Sequence, residues 1–369
     1  MDEIVERLYN ENETSVCFFR TTVKEPHRKC LIQITEKCNF RCKHCFLSAD
    51  GTGKQLSLDQ IENKVLPFCI NNRIDKVTLT GGEPLFHSEC ISIINKFLDL
   101  GIRVTVCTNG SLISENLLQK ITDLKKIKFN VSMDAFSQET FNMFRVNKMQ
   151  NSFERILSNI QLVSKYNVLN GILVTPNIYV SIDEYYKLCK FAKEQGAKYV
   201  LMNPLSEFGR GSEDSNLGYT QDDLVKLREK TWELMDSSFE IVYIRFPNSG
   251  KKLSQCKYGK VLYLFTDGNI VVCPYMAFAC DNPNSKYEKK DFILANIFEE
   301  ECNLKERLSQ YSLPIEKKDM RLNCSNKCSR GCKAIIIANG QYLDECDSAM
   351  CGLHNNCLEE SDKEKQLDL

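Results

Sequence analysis

Short apolar runs rich in β-branched residues recur along the first two thirds of the chain, at 30–35, 76–80, 103–108, 128–133, 171–175 and 199–203. Between them the apolar positions move to three- and four-residue steps, over 58–69, 88–100, 114–124, 153–166 and 182–195. Ile156, Ile160 and Val163 show the helical spacing well. A strand pattern giving way repeatedly to a helix pattern, with short connections, predicts a parallel α/β architecture. Ser57 followed by Gln60 supplies a capping box for the first helix, and Asp123 and Gly196 sit at helix ends. A helix over 221–235 and a strand over 239–246 extend the series. The periodicity then fades, and ten cysteines fall between Cys256 and Cys357. The pattern divides the chain into an N-terminal extension (1–27), an α/β unit (28–246), a loop-rich cysteine unit (247–358) and a charged tail predicted to be disordered (359–369).

Composition narrows the class. The chain has 369 residues, 43% of them apolar, enough for a sizeable core. Forty-eight basic and 49 acidic residues leave a net charge of -1, with no long-range pull toward nucleic acid or an anionic membrane. No apolar run approaches the ~18 residues that would span a bilayer. The acidic start MDEIVERLYNENE has none of the features of a signal peptide. A cytoplasmic setting follows, where 19 cysteines do not read as disulfides and the clustered ones read as metal ligands. Cys17, Cys30, Cys69, Cys90, Cys107 and Cys189 lie in apolar patterns and read as small buried hydrophobes.

The chemistry gathers at the strand ends. The first strand runs into TEKCNFRCKHCF, which holds Cys38, Cys42 and Cys45. The second runs into Gly81-Gly82-Glu83-Pro84, the third ends in Thr108-Asn109-Gly110, and the fourth in Ser132-Met133-Asp134. Ligands in parallel α/β folds bind at the carboxyl ends of strands, so four such pieces in register mark one site. Taken alone, the three cysteines also suit a zinc site completed by a distant ligand, and Ser132 and Asp134 a plain loop entry.

Together, CNFRCKHC and GGEP resemble the CxxxCxxC and GGEP motifs of radical S-adenosylmethionine (SAM) enzymes, on a partial (β/α)6 TIM-like barrel. The resemblance implies that Cys38, Cys42 and Cys45 hold a [4Fe–4S] cluster whose fourth iron is chelated by SAM. It implies that Gly81, Gly82 and Glu83 meet the amino group of SAM. By the same resemblance Ser132 and Asp134 face its ribose or carboxylate, and Arg145 pairs with the carboxylate. His44 stands near the adenine, and Asn109 and Asn177 contact the cofactor. Reductive cleavage would give a 5′-deoxyadenosyl radical that removes a hydrogen from substrate. No residue is singled out as catalytic in its own right.

The later cysteines resemble a SPASM auxiliary-cluster domain. Cys256, Gly268 and Cys273 follow its opening, TDGNIVVCP and LANIFEE its hairpin, and Cys328, Cys332 and Cys351 its closing pattern. One ligand of that pattern is missing, and Cys346 is the suggested substitute, while Cys280, Cys302 and Cys357 are extra. The implied ligands are Cys256, Cys273 and Cys332 for an inner cluster and Cys324, Cys328 and Cys351 for an outer one. Two auxiliary [4Fe–4S] clusters are expected, with one as the fallback and zinc as the bland reading. The SPASM resemblance implies a peptide or protein substrate, an external electron donor of flavodoxin or ferredoxin type, and a separate precursor-recognition protein. Pro274 stands where sulfatase-maturating relatives carry an acid, which argues against that branch. A small-molecule substrate such as a tetrapyrrole, sugar or nucleoside is the alternative, and a non-catalytic electron-transfer protein the alternative of another class.

Overall fold

A computed structural model of the chain describes residues 13–15, 23–24, 26–247, 252–254, 256, 258–299, 301–315, 331–347 and 350. Its centre is a ten-stranded sheet. Six strands, β1 (Arg28–Thr35), β2 (Ile74–Gly81), β3 (Arg103–Thr108), β4 (Ile127–Ser132), β5 (Leu169–Val174) and β6 (Tyr199–Met202), pair in chain order, all parallel. A seventh, β7 (Glu240–Tyr243), continues the series beside β6. The six strands read from the sequence are therefore present within one or two residues of their expected bounds; the seventh is present too but ends at Tyr243, three residues short of its expected end.

The crossovers carry α1, which opens at Leu58–Gln60, widens to π geometry over Ile61–Val65 and closes over Leu66–Asn71. They also carry α2 (Cys90–Asp99), α3 (Glu115–Gln119), α4 (Gln138–Phe144), α5 (Ser152–Lys165), α6 (Ile182–Glu194) and α7 (Gln221–Trp232). The Ser57–Gln60 capping box forms as the sequence predicts. Ile156, Ile160 and Val163 are fully buried on α5, so the three-four spacing does mark the face turned to the sheet. Cys30, Cys69, Cys90 and Cys189 are buried among apolar side chains.

The sheet does not stop at residue 246. A further strand, β8 (Val261–Leu264), pairs in parallel with β1 on the side away from β2. It turns back through β9 (Asn269–Val271) and β10 (Ile293–Asn296), both antiparallel. All four residues of β8 are buried. The short apolar run VLYL lies among cysteines and finds its partner some 230 positions earlier, so no local period betrays it. Between β9 and β10 lies α8 (Pro274–Ala279), and after β10 come α9 (Leu304–Gln310) and α10 (Lys333–Ala338), with α8 and α10 packed together. Among the described residues the two outer strands, β10 and β7, do not pair with each other, so the barrel stays open. No helix among these residues is long and apolar enough to cross a membrane.

Candidate active site

The loop after β1 carries Cys38, Cys42 and Cys45, and neighbouring backbone ties it down at many points. Cys38 N–H donates to Asp50 (2.5 Å), Arg41 N–H to Val146 (2.7 Å) and Lys43 N–H to Phe144 (3.1 Å). From the next strand end, Gly82 N–H donates to Thr35 (2.9 Å) and Glu83 N–H to Lys37 (2.9 Å). This close approach is what the two glycines serve. A Cβ on Gly81, whose φ is +134°, would lie 2.0 Å from the Thr35 carbonyl, and one on Gly82 2.2 Å from that of Lys37. The motif's glycines thus pack strand end against cysteine loop, a role the sequence assigned to the approach of the cofactor.

Arg210, which lies in the segment after β6, grips the same loop. Its N–H donates to the Cys45 carbonyl (3.0 Å), its Nε to that of Cys42 (2.8 Å) and its Nη2 to that of Ala49 (2.8 Å). Gly209 precedes it with φ +53°, and a Cβ there would come within 2.5 Å of the Cys45 oxygen. Neither residue was singled out in the sequence. The signal was present, because both follow the carboxyl end of β6, where the other motif pieces also fall relative to their strands.

Glu83 is fully buried and turned into the chain. Its Oε1 accepts from Thr108 Oγ1 (2.7 Å) and Leu85 N–H (3.0 Å), and its Oε2 from Asn109 N–H (2.6 Å). Burial pushes its carboxyl up to about 7 despite these donors. Asn109 continues the network, donating to Asn39 (2.9 Å) and accepting from Ser111.

Asp134 and Arg145 are both buried and pair with each other, Nε to Oδ2 at 2.6 Å. The other Asp134 oxygen accepts from Thr175 N–H (2.6 Å). Asn177 is fully buried, hydrogen-bonded to Tyr185 and to the Thr175 carbonyl, and so braces this strand end. His44 stacks on Phe144, with ring centroids 4.3 Å apart and planes 10° apart. Burial lowers its pKa to about 4, so the ring is neutral, with Nε2 lying 3.5 Å from Asp134 Oδ2.

One cavity of about 280 Å³ unites these parts. The three cysteines, His44, Gly81, Gly82, Asn109, Ser132, Asp134 and Arg145 all line it, and Glu83 and Asn177 do not. Among the described residues, His44 Nδ1, Thr78 Oγ1 and Tyr263 OH, buried polar atoms on its wall, have no partner. Buried polar groups are rarely left so, and together with three thiols they fit a polar ligand joined to a metal centre. Burial pushes the thiols of Cys38 and Cys42 up to about 12, so in the metal-free chain they hold protons that metal must displace. Among the described residues no three Cys, His, Asp or Glu side chains converge on a single ion, as a zinc site would require.

Of the second cysteine set, Cys256, Cys273, Cys332 and Cys346 are described, and Cys324, Cys328 and Cys351 lie outside the described residues. Cys273 directly precedes α8 and Cys332 directly precedes α10. Cys332 lies within electrostatic reach of Cys256 and of Arg245, and Tyr275 feels both Cys273 and Cys332. Arg245 is ion-paired to buried Asp347.

Three thiols at the end of the first strand of an open, mostly parallel sheet thus face a chamber floored by glycines. Residues 32–196 match the family model described as Radical SAM superfamily. It is 25% identical over 271 residues to the antilisterial bacteriocin subtilosin biosynthesis protein AlbA of Bacillus subtilis, covering 72% of this chain and 56% of AlbA. It is 29% identical over 188 residues to the AdoMet-dependent heme synthase of Methanosarcina barkeri, covering 50% and 52%. The chain thus spans little more than half the length of these curated relatives. Its fold is that of Streptococcus suis SuiB, in the crystal structure bound to precursor peptide SuiA, with TM-score 0.65, 18% identity and coverage of 88% of this chain and 76% of SuiB.

Proposed function

We propose that this protein is a radical SAM enzyme that modifies a peptide or protein, by crosslinking or by oxidising a side chain. The observation that carries the radical chemistry is the single chamber in which three thiols, two glycines and three unpartnered polar atoms converge. Cys38, Cys42 and Cys45 would hold a [4Fe–4S] cluster with one iron open to SAM. When bound, the pair supplies a carbon radical that removes a hydrogen atom from substrate. The chain's own part is to fix the cysteine loop, to present neutral His44, stacked on Phe144, as a flat wall, and to keep Asp134 and Arg145 paired beside it. The peptide reading is supported by two relatives: AlbA, named for the biosynthesis of a bacteriocin, and SuiB, seen with its precursor peptide.

The cysteine-rich segment reads as a SPASM-type unit beginning near residue 247, with Cys256, Cys273 and Cys332 serving an auxiliary cluster and Cys346 completing a ligand set. An external flavodoxin- or ferredoxin-type donor would supply electrons in the cytoplasm, and a separate protein would recognise the precursor. The heme synthase relative favours a second reading, a small-molecule substrate.

Anaerobic reconstitution, followed by dithionite and SAM, tests the first reading. The parent should form 5′-deoxyadenosine and the Cys38/Cys42/Cys45→Ala variant none. Iron per chain should approach about 12 for three cubane clusters or about 8 for two. A fully loaded parent that cleaves no SAM, even with candidate peptides present, would remove the catalytic reading. Turnover of a tetrapyrrole with no peptide modified would favour the second.

A further inference from the structure

Arg145 and Arg210 flank the cysteine loop as two buried guanidinium groups, and their partners differ. Arg145 meets the carboxylate of Asp134 at 2.6 Å. Arg210 is 6% exposed; its guanidinium donates to two carbonyl oxygens, those of Cys42 and Ala49, while its backbone N–H holds that of Cys45. Asp50, whose carboxylate feels the Arg210 charge through space, is partly exposed and hydrogen-bonded to Thr52. A buried cation satisfied by neutral acceptors alone is costly, since carbonyl dipoles replace only part of its hydration. Such an arrangement calls for negative charge close by; one of the two carbonyls the guanidinium grips belongs to Cys42, and the backbone N–H beside it holds that of Cys45, both residues whose thiolates would be metal-bound.

From this we infer that Arg210 is a positioning residue for the cysteine loop and the buried counter-charge of the iron–sulfur centre that the loop would carry. The inference rests on the radical SAM reading above. One side chain does two jobs. Its fork fixes the backbone carbonyls on either side of Cys45, which sets where the second and third thiols point. Its charge offsets the negative charge that thiolate-ligated iron brings into a buried site, and net charge and hydrogen bonding are what set cluster potentials. Gly209 makes the grip possible, because any Cβ at its φ of +53° would strike the Cys45 and Phe46 carbonyls.

The test uses the full chain, reconstituted anaerobically, with Arg210→Gln, Arg210→Lys and Gly209→Ala variants. The first cluster is followed as the EPR signal of the reduced protein that is lost in the Cys38/Cys42/Cys45→Ala variant. Its midpoint potential and the rate of iron loss to a chelator are read. Arg210→Gln should lower the potential and speed iron loss several-fold. Arg210→Lys keeps the charge and gives up the fork, so its potential should stay near the parent value while iron loss is intermediate. Gly209→Ala keeps the arginine and displaces it, so iron loss should rise there too.

Parent-like potential and retention in Arg210→Gln would overturn the inference. Equal drops in potential for Gln and Lys would overturn the charge role and leave a tether. Should Arg210→Gln fail to fold by circular dichroism, the other two variants decide, and parent-like iron retention in both overturns the proposal. A parent that shows no such signal sinks the radical SAM reading itself and this inference with it.

Discussion

The two cysteine groups of this protein are held in different ways. Around Cys38, Cys42 and Cys45 the backbone is gripped from three directions, by Gly82 and Glu83, by Phe144 and Val146, and by Arg210. That loop would keep its shape with or without metal. In the second group, Cys273 and Cys332 stand immediately before short helices, and Cys332 lies within electrostatic reach of Cys256 and Arg245. These thiols depend on helix packing and one ion pair. On the function proposed above, the first centre would be imposed on metal by a finished scaffold, whereas the second would take metal as part of its fold.

The strongest way to break that comparison is to remove thiols from each group. Cys38/Cys42/Cys45→Ala should abolish 5′-deoxyadenosine formation and about four irons per chain with little change in the circular dichroism of the barrel. Cys256/Cys273/Cys332→Ala should lower the yield of folded protein, with the loss appearing in limited proteolysis. Metal removal sharpens the same point: in chelator, cleavage is expected beyond residue 247 well before the barrel is cut, and equal cutting of both would erase the distinction.

A third change tests how stiffly the first loop is built. Gly82→Ala places a Cβ 2.2 Å from the Lys37 carbonyl, so one of two strand ends must move. Destabilisation of about 3 kcal/mol by denaturant titration is expected, since the clash is with backbone, which yields less readily than a side chain. Gly51→Ala, where the space is open, serves as the control and should cost a few tenths of that.

A pH-dependent effect of at most similar size concerns Glu83, whose ordinary carboxyl value of 4.5 rises to about 7 on burial. Because the folded value is the higher one, the native state favours the protonated form. Its contribution is complete below about 4.5 and is lost as pH rises through about 7. Glu83→Gln removes that titration, so its stability relative to the parent should improve by up to about 3 kcal/mol across this window. A constant difference between pH 4 and 8 would show that the Thr108, Asn109 and Leu85 donors keep the carboxylate ionised throughout.

The parallel strands were legible because each is a short apolar run followed by an amphipathic helix, a pattern that needs no distant information. The thiols and glycines were legible because their spacing is local. Arg210 escaped because what makes it matter is contact with carbonyls more than 160 positions away. Thr78 and Tyr263 escaped for a similar reason, since an unpartnered hydroxyl is visible only once the walls around it are assembled. Glu83 and Asn177 were expected to face the cofactor, yet their donors and acceptors are taken up by neighbouring strand ends.

The parallel pairing of β8 with β1 has a consequence for anyone who would cut the chain. β8 comes from the cysteine-rich segment, yet it is hydrogen-bonded from Lys29 to Ile32 along the very strand that launches the cysteine loop. A truncation at residue 246 would therefore do more than discard an appendage. It would strip β1 of a neighbour and leave a row of open N–H and C=O groups, the kind of bare margin along which sheets of separate molecules zip together. Exchange of the C-terminal unit with that of another protein has to carry β8 across or supply its equal, because the seam between the two halves runs through the middle of the sheet.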